Sequence, residues 1–435
     1  MTRPAGWWLW PLSLLALGGC ASSLRQQAPG ANSPASAPGA ANDHPTATQG
    51  DAVDARRPAA PPPLRPTGEQ PLAERPEWMR GLALPDLPLR WFPRVTQYLQ
   101  QYRDDPRARE NIRGWVRRFP NHRLVIETAL AREQLPLGLA FVAMIESGFS
   151  ASALSSKGAG GFWQFRPSVA RAYGMEVTFW VDERRDLEKS SAAAAKYLGD
   201  LHQRFGSWEL ALAGYNAGVF SVLDSIVRFN TNDYATLCRV ESGLPWETTE
   251  YVPKVLAVAI VEKNHQFFGI DEPRPDPPRP FDTISVPPAV TFERLASRLR
   301  ITADELAAWN PTYPRRRTPV DRGPVDLRVP AGTAALVTKP LGDLRPDNVV
   351  PVQVQAGETL LRIAKTRKIS AARLRSLNAV GDDVEVTPGT TILVPRTTPR
   401  PTQNSQNPHK DGGNPPVRPK IASDGTAGKN NTKNR

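Results

Sequence analysis

Large apolar residues recur three and four positions apart in a series of stretches between residues 77 and 270: PRVTQYLQQY, NIRGWVRRF, HRLVIETALAREQL, LEKSSAAAAKYLGDLHQRF and YVPKVLAVAIVEKN. That spacing gathers the apolar side chains of each stretch on one face of a helix. No period-2 run or Asn-Gly hairpin signal interrupts it, so the pattern predicts a mainly α domain over 77–270. The run DEPRPDPPRP, residues 271–280, cannot continue a helix and marks the domain's end.

Beyond it the same side chains return in the same order at an offset of 68 residues. TFERLASRLRITADELAAWN aligns with TLLRIAKTRKISAARLRSLN, pairing Phe292 with Leu360, Leu295 with Ile363, Ala296 with Ala364, Leu306 with Leu374 and Asn310 with Asn378. Each copy ends in a strand-like run, DLRVP or TILVP. The pattern predicts two small α+β units of βααβ order, at 281–332 and 350–396, each with a small core.

The first twenty residues, MTRPAGWWLWPLSLLALGGC, start basic at Arg3 and turn apolar from Trp7 to about Leu17. That core is too short to span roughly 30 Å of hydrocarbon as a helix and reads as an export signal over 1–20. Leu17-Gly18-Gly19-Cys20 resembles a bacterial lipobox, which implies lipidation of Cys20; Ala21 after it implies an outer-membrane lipoprotein facing the periplasm. A cleaved, soluble secreted form is the alternative. Residues 21–76 are Ala/Pro/Ser/Gly-rich and read as a disordered tether, reaching ~40 Å as a coil and ~170 Å as polyproline II. Residues 397–435 read as a disordered basic tail.

Net charge is +12, which suits nucleic acid, an anionic membrane surface or an anionic polymer such as a cell wall. No zinc-finger spacing, RNA-recognition signature or basic zipper occurs, so no nucleic-acid partner is expected. Of the two cysteines, Cys20 and Cys238, one lies in the leader, and no internal disulfide is expected. The five histidines include no pair at metal-ligand spacing, so no metal and no other cofactor is expected, and the chain is read as a monomer.

One carboxylate stands out. Eleven residues without formal charge, Leu135 to Ile145, run straight into Glu146. Burial disfavours its charged form, and a negative charge at a helix C-terminus opposes the macrodipole, so both effects raise its pKa. A carboxyl kept protonated near neutral pH is what a general acid needs to protonate a glycosidic oxygen. A buried Glu paired with Arg166 or Arg184 is the opposite reading, and the residues alone leave the two open.

The wider context carries a resemblance. Glu146-Ser147, Ser155, Gly158-Ala159-Gly160-Gly161 with Trp163-Gln164, and Tyr215-Asn216-Ala217-Gly218 stand in the order found in lytic transglycosylases, specifically the membrane-bound lytic murein transglycosylase D group. VDERRDLEKSSAAAAKYLGDL and PWETTEYVPKVLA also fit. The second repeat, with AGETL, Leu-Asn and Pro-Gly, resembles a LysM domain; the first has PPAV in place of the Gly-Glu-Thr turn and is LysM-like. The resemblance implies a lysozyme-like helical catalytic domain of the SLT and goose-lysozyme type, and peptidoglycan glycan strands as partner. The LysM likeness implies binding to N-acetylglucosamine-containing glycans; packing against the catalytic part is the plainer role.

Carried over by position, the resemblance implies Glu146 as acid and then base. Ser155, Gln164, Tyr215, Asn216, Gly161 and Trp163 are implied as substrate contacts. Each has a plainer alternative: Ser155 a turn cap, Gln164 a partner for backbone groups, Tyr215 and Trp163 core. The glycines fit close approach of backbone to sugar. Asp182, Glu183 and Asp186 with Arg184 and Arg185 read as a structural ion-pair network. Arg166 and Val169 depart from the group's pattern. Only one carboxylate has a persuasive setting, which fits a reaction without water as nucleophile: cleavage of the β-1,4 bond between N-acetylmuramic acid and N-acetylglucosamine with formation of 1,6-anhydro-N-acetylmuramic acid. A goose-type lysozyme hydrolase and a non-catalytic peptidoglycan-binding anchor are the alternatives.

Overall fold

A computed structural model describes residues 75–381 and 384–396. The leader with Cys20, the tether up to residue 74 and the tail at 397–435 lie outside the described residues. The helical pattern resolves into α1 (Pro93–Asp104), α2 (Pro106–Arg118), α3 (Pro120–Arg132), α4 (Ala140–Ser147), α5 (Pro167–Ala172), α6 (Leu187–Phe205), α7 (Trp208–Ala217), α8 (Val219–Phe229), α9 (Tyr234–Arg239) and α10 (Trp246–Lys263). Prolines open α1, α2, α3 and α5 where a missing N–H costs nothing. Asp186, Ser207 and Asp233 cap α6, α7 and α9 by accepting from the backbone N–H three residues on.

The core lies around α7 and α10. Leu210 to Ala213 and Val255 to Val261 are buried, and α10 packs on α1, α7 and α4. Small residues on α6 (Ser190, Ser191 and Ala193 to Ala195) let it approach α3 and α7 closely. Pro253 inside α10 leaves the carbonyl of Thr249 without its helical donor. The buried Tyr234 hydroxyl replaces it, 3.2 Å from that oxygen and 3.2 Å from the carbonyl of Thr248.

Both repeats take the expected βααβ form. The first comprises β1 (Phe281–Val286), α11 (Phe292–Leu299), α12 (Ala303–Trp309) and β2 (Val325–Pro330); the second β3 (Val349–Gln353), α13 (Leu360–Thr366), α14 (Ala371–Leu377) and β4 (Thr391–Pro395). Each strand pair is antiparallel, Phe281 opposite Pro330 in one and Val349 opposite Pro395 in the other. The repeated asparagines explain themselves. Asn310 donates to the carbonyls of Leu306 and Arg328 and accepts from the Arg328 N–H; Asn378 does the same with Leu374 and Leu393. In each unit one buried amide ties the second helix to the last strand.

The copies differ at their first turn. Gly357 takes φ +77° in the second, and the matching Ala289 is held at φ +68° in the first. Ala289 is buried with Trp180, Val181, Val320 and Leu393 in a small apolar cluster that joins the helical domain to both repeats. The segment between α5 and α6 makes this junction. Trp180 Nε1 donates to the Thr391 carbonyl at 2.8 Å, the Asp182 N–H to the Thr312 carbonyl at 2.9 Å, and Arg322 grips Glu176 with both terminal nitrogens. Arg315 stacks 3.7 Å over the Phe179 ring while bonding the Phe179 and Ala379 carbonyls. Both repeats therefore pack against the helical domain.

Candidate active site

The apolar run before Glu146 is not one helix. Pro136 starts a 3-10 turn at Leu137–Leu139, and α4 follows with Ala140 to Met144 buried. Gly138 is required in that turn, because a Cβ there would lie 2.5 Å from the Asp86 carbonyl oxygen. Glu146 is the penultimate residue of α4, which ends on Gly148 in the left-handed region at φ +58°. The acid thus stands in the last turn of α4, where the sequence pattern puts it.

Its partner comes from α10. The Tyr251 hydroxyl donates to Glu146 Oε1 at 2.7 Å. Glu146 makes no ion pair among the described residues: Arg184 is committed to Asp182 through Nε and Nη2, both at 2.8 Å, and Arg166 is exposed. Burial pushes the Glu146 carboxyl up to about 7. The Tyr251 hydrogen bond opposes that rise, the nearby Glu247 charge adds to it, and Lys254 opposes it. Burial and the Glu146 charge also raise the Tyr251 and Tyr215 phenols well above 10, so both remain donors at neutral pH.

The loop after α4 is folded by the residues singled out in the sequence. Ser147 Oγ donates to the Phe162 carbonyl at 2.7 Å. Ser155 Oγ accepts from the Ala159 N–H at 3.0 Å, closing the turn of a small hairpin whose bridges run Leu154 to Gly160 and Gly160 to Phe165. Gln164, at φ +48°, donates its amide to the carbonyls of Gly161 and Ala153. Arg184 spans the hairpin from behind, with Nη1 on the carbonyls of Gly158 and Phe165. Of the expected ion-pair network, Asp182 pairs with Arg184 and, at 3.6 Å, with Arg185, whereas Glu183 pairs with Lys189 and Asp186 caps α6. Tyr215 Oη donates to the Trp163 carbonyl at 2.7 Å, and Asn216 Oδ1 accepts from the Thr248 hydroxyl at 2.7 Å, one helical turn before Tyr251. The structure therefore gathers Glu146, Tyr215 and Tyr251, with Ser155, Gln164 and Asn216 shaping the surrounding chain.

Two expectations need correction. Trp163 has 0% exposure and donates Nε1 to Ser191, so it is a core residue with no face for a sugar. The close approach at Gly161 is to protein: a Cβ there would stand 1.8 Å from the Arg184 carbonyl oxygen. Tyr251 was not singled out by sequence. Its signal is a lone hydroxyl in the run YVPKVLAVAIV, apolar apart from Lys254, where burial demands an acceptor.

The chain matches the family described as transglycosylase SLT domain at residues 123–237, that described as lytic transglycosylase MltD, LysM-like domain at 280–345, and the LysM domain at 352–395. Membrane-bound lytic murein transglycosylase D of Escherichia coli K12 is 29% identical over 281 residues, covering 60% of this chain and 61% of that protein. This chain thus spans about three fifths of the length of the curated relative. Among solved structures, an inactive variant of lytic transglycosylase Slt from Pseudomonas aeruginosa is similar at 25% identity and a TM-score of 0.30, covering 37% of this chain and 26% of that one. The 70 kDa soluble lytic transglycosylase of Escherichia coli is similar at 19% identity and a TM-score of 0.31, covering 40% and 32%. The chain carries a transglycosylase SLT domain, followed by a LysM-like domain of the lytic transglycosylase MltD type and a LysM domain.

Proposed function

We infer that this protein is a peptidoglycan lytic transglycosylase. The observation that carries the reading is a single carboxyl, Glu146, held near pH 7 by burial, without a guanidinium partner and oriented by the Tyr251 hydroxyl. Tyr251 occupies Oε1, which leaves Oε2 to carry the proton. In the first step Glu146 gives that proton to the β-1,4 oxygen, the bond from muramic acid C1 to that oxygen breaks, and an oxocarbenium-like centre forms at C1. In the second, the carboxylate takes the proton of the same sugar's C6 hydroxyl as O6 bonds to C1. The product is a 1,6-anhydro-N-acetylmuramic acid end, and the intramolecular nucleophile supplies the proximity advantage that a water would lack. A pKa near working pH serves both directions of transfer.

The hydrolase alternative requires a second carboxylate to activate water. Glu247 is the acidic group whose charge reaches Glu146, but it is exposed on the first turn of α10. The leader motif supports a lipid anchor on Cys20 and attachment to the outer membrane on the periplasmic side. The second repeat, whose AGETL turn is exposed at Ala356, Gly357 and Thr359, is assigned to glycan binding. The reading also takes the protein as a monomer.

Digestion of purified peptidoglycan followed by mass analysis tests the reading. Anhydro ends, absent from a Glu146→Gln digest, are expected. Reducing ends would assign a lysozyme, and identical digests from wild type and variant would leave only an anchor.

A further inference from the structure

The junction between the helical domain and the first repeat encloses a cleft of about 500 Å³. One wall is the start of α6 with the turn before it, including Arg185 and Glu188; the other is built by Trp309, Tyr313, Asp326 and Arg328 of the first repeat. Several of its charges are spent internally. Glu176 is held by Arg322, Glu183 by Lys189 and the Glu176 N–H, and Asp186 caps α6.

The groups left over are chiefly donors. Arg185 meets only Asp182, at 3.6 Å, beyond a good hydrogen bond, although its side chain is 19% exposed. Arg328 comes no nearer than 3.9 Å to Glu188. Trp309 Nε1 is buried with no acceptor. The wall is also aromatic: Arg279 lies 4.6 Å over Trp309, Trp309 abuts Phe281, and Arg328 lies 4.9 Å over Phe281. A buried donor without an acceptor is costly, and a ligand that supplies acceptors removes the cost.

We propose that this cleft binds the peptide substituent of peptidoglycan. Carboxylates would meet the Arg185 and Arg328 guanidiniums, for which a planar two-oxygen acceptor is the matching shape. Ammonium groups would meet Glu188 and Asp326, and the apolar parts of the peptide would lie on Trp309. A neutral sugar would give the two guanidiniums no charged acceptor at hydrogen-bond distance. The proposal rests on the peptidoglycan reading of Glu146 and extends it to a part of the substrate remote from the bond cut.

The test uses the full chain with Glu146→Gln, so that ligands survive. Affinities are measured by calorimetry for a murein tetrasaccharide carrying its tetrapeptides and for the same tetrasaccharide stripped of peptide by an amidase. The peptide-bearing form is expected to bind more tightly. Arg185→Ala and Arg328→Ala should each weaken it about tenfold, with Trp309→Phe, which removes the indole N–H and shortens the apolar platform, also weakening it, while the stripped form changes less than about twofold. Equal affinity of the parent for both ligands, or variants that leave peptide-bearing affinity intact or lower both alike, would overturn the assignment. A wild-type digest run in parallel separates the two claims. Anhydro ends with no peptide discrimination sink the cleft alone, whereas their absence removes the transglycosylase reading itself.

Discussion

Tyr251 and Glu146 lie 105 residues apart in sequence and 2.7 Å apart in space, phenol donating to carboxylate oxygen. The pair sets two opposed forces on one proton. Burial holds the proton on Glu146, and the tyrosine favours letting it go. The balance near 7 suits a group that must first give a proton and then recover one.

Removing the hydroxyl should therefore shift the pH profile as well as slow the reaction. In Tyr251→Phe the ionised carboxylate loses its hydrogen bond, so the Glu146 pKa rises further. The acid must be protonated to act, so the alkaline limb of kcat/KM, expected near pH 7 in wild type, moves to higher pH. The rate at the optimum should fall about tenfold or more, as the carboxyl loses its fixed orientation. A pH–rate profile checks both. A limb that moves down would contradict the assigned role of the bond.

Glu247→Gln should act in the opposite direction. Its negative charge raises the Glu146 pKa, so neutralising it brings the alkaline limb to lower pH. Anhydro products should persist at a rate within about threefold of wild type, since Glu247 is exposed and a surface charge acts weakly. Loss of turnover accompanied by disappearance of reducing-end products would instead mark Glu247 as the base of a hydrolase.

The raised carboxyl also has a cost in stability. Between the unfolded value of 4.5 and the folded value of about 7, the native state holds a proton that the unfolded chain has released. Stability therefore falls as pH rises through that window, and is level below and above it. Replacing the acid by Gln removes the effect. Glu146→Gln should match wild type most closely near pH 4 and gain on it by up to about 3 kcal/mol at pH 8. Denaturant unfolding at the two pH values measures the difference.

How far the site was legible depended on how local its physics is. The apolar run and the charge that ends it are adjacent in sequence, so Glu146 could be singled out from the helix terminus, with an arginine-paired role left open until the wider motif was added. The βααβ units were legible because apolar positions recur at a fixed offset, and Asn310 and Asn378 perform the same task in each copy. Tyr251 was not legible in that way, because its acceptor lies on a different helix and only packing of α10 on α4 joins them. Trp163 misled for the converse reason. An aromatic beside glycines suits a sugar platform and a core plug equally, and burial against Ser191 decides it. The junction around Trp180 left only a short apolar triplet, Phe179-Trp180-Val181, in a segment without periodicity.

The two left-handed glycines of the hairpin should separate conformational strain from collision. Gly158 at φ +78° faces open space, so Gly158→Ala should cost only the left-handed penalty, about 1–2 kcal/mol. Gly161 at φ +77° would drive its Cβ into the Arg184 carbonyl. Gly161→Ala should cost more than about 3 kcal/mol and displace the hairpin from Arg184, taking activity with it. Thermal unfolding of both variants gives the comparison; equal losses would mean that the Arg184 contact yields easily.

The last prediction concerns the junction. Trp180 is 1% exposed, packs with residues of both repeats and donates to the Thr391 carbonyl. Trp180→Ala removes the largest apolar group of that cluster and one interdomain hydrogen bond, a loss of about 3–5 kcal/mol if the gap does not close. The cluster lies between units that each have their own core, so the loss should fall on their association and leave their folding in place. Limited proteolysis should then cut within residues 271–280 much faster than in wild type, while Glu146-dependent cleavage of short soluble glycan fragments stays near normal. Trp180→Phe keeps most of the apolar contact and loses the hydrogen bond, and should show a smaller effect of about 1 kcal/mol. If Trp180→Ala unfolds the catalytic domain instead, with activity on short fragments gone, the segment between α5 and α6 belongs to the core of that domain, and the repeats merely lean on it.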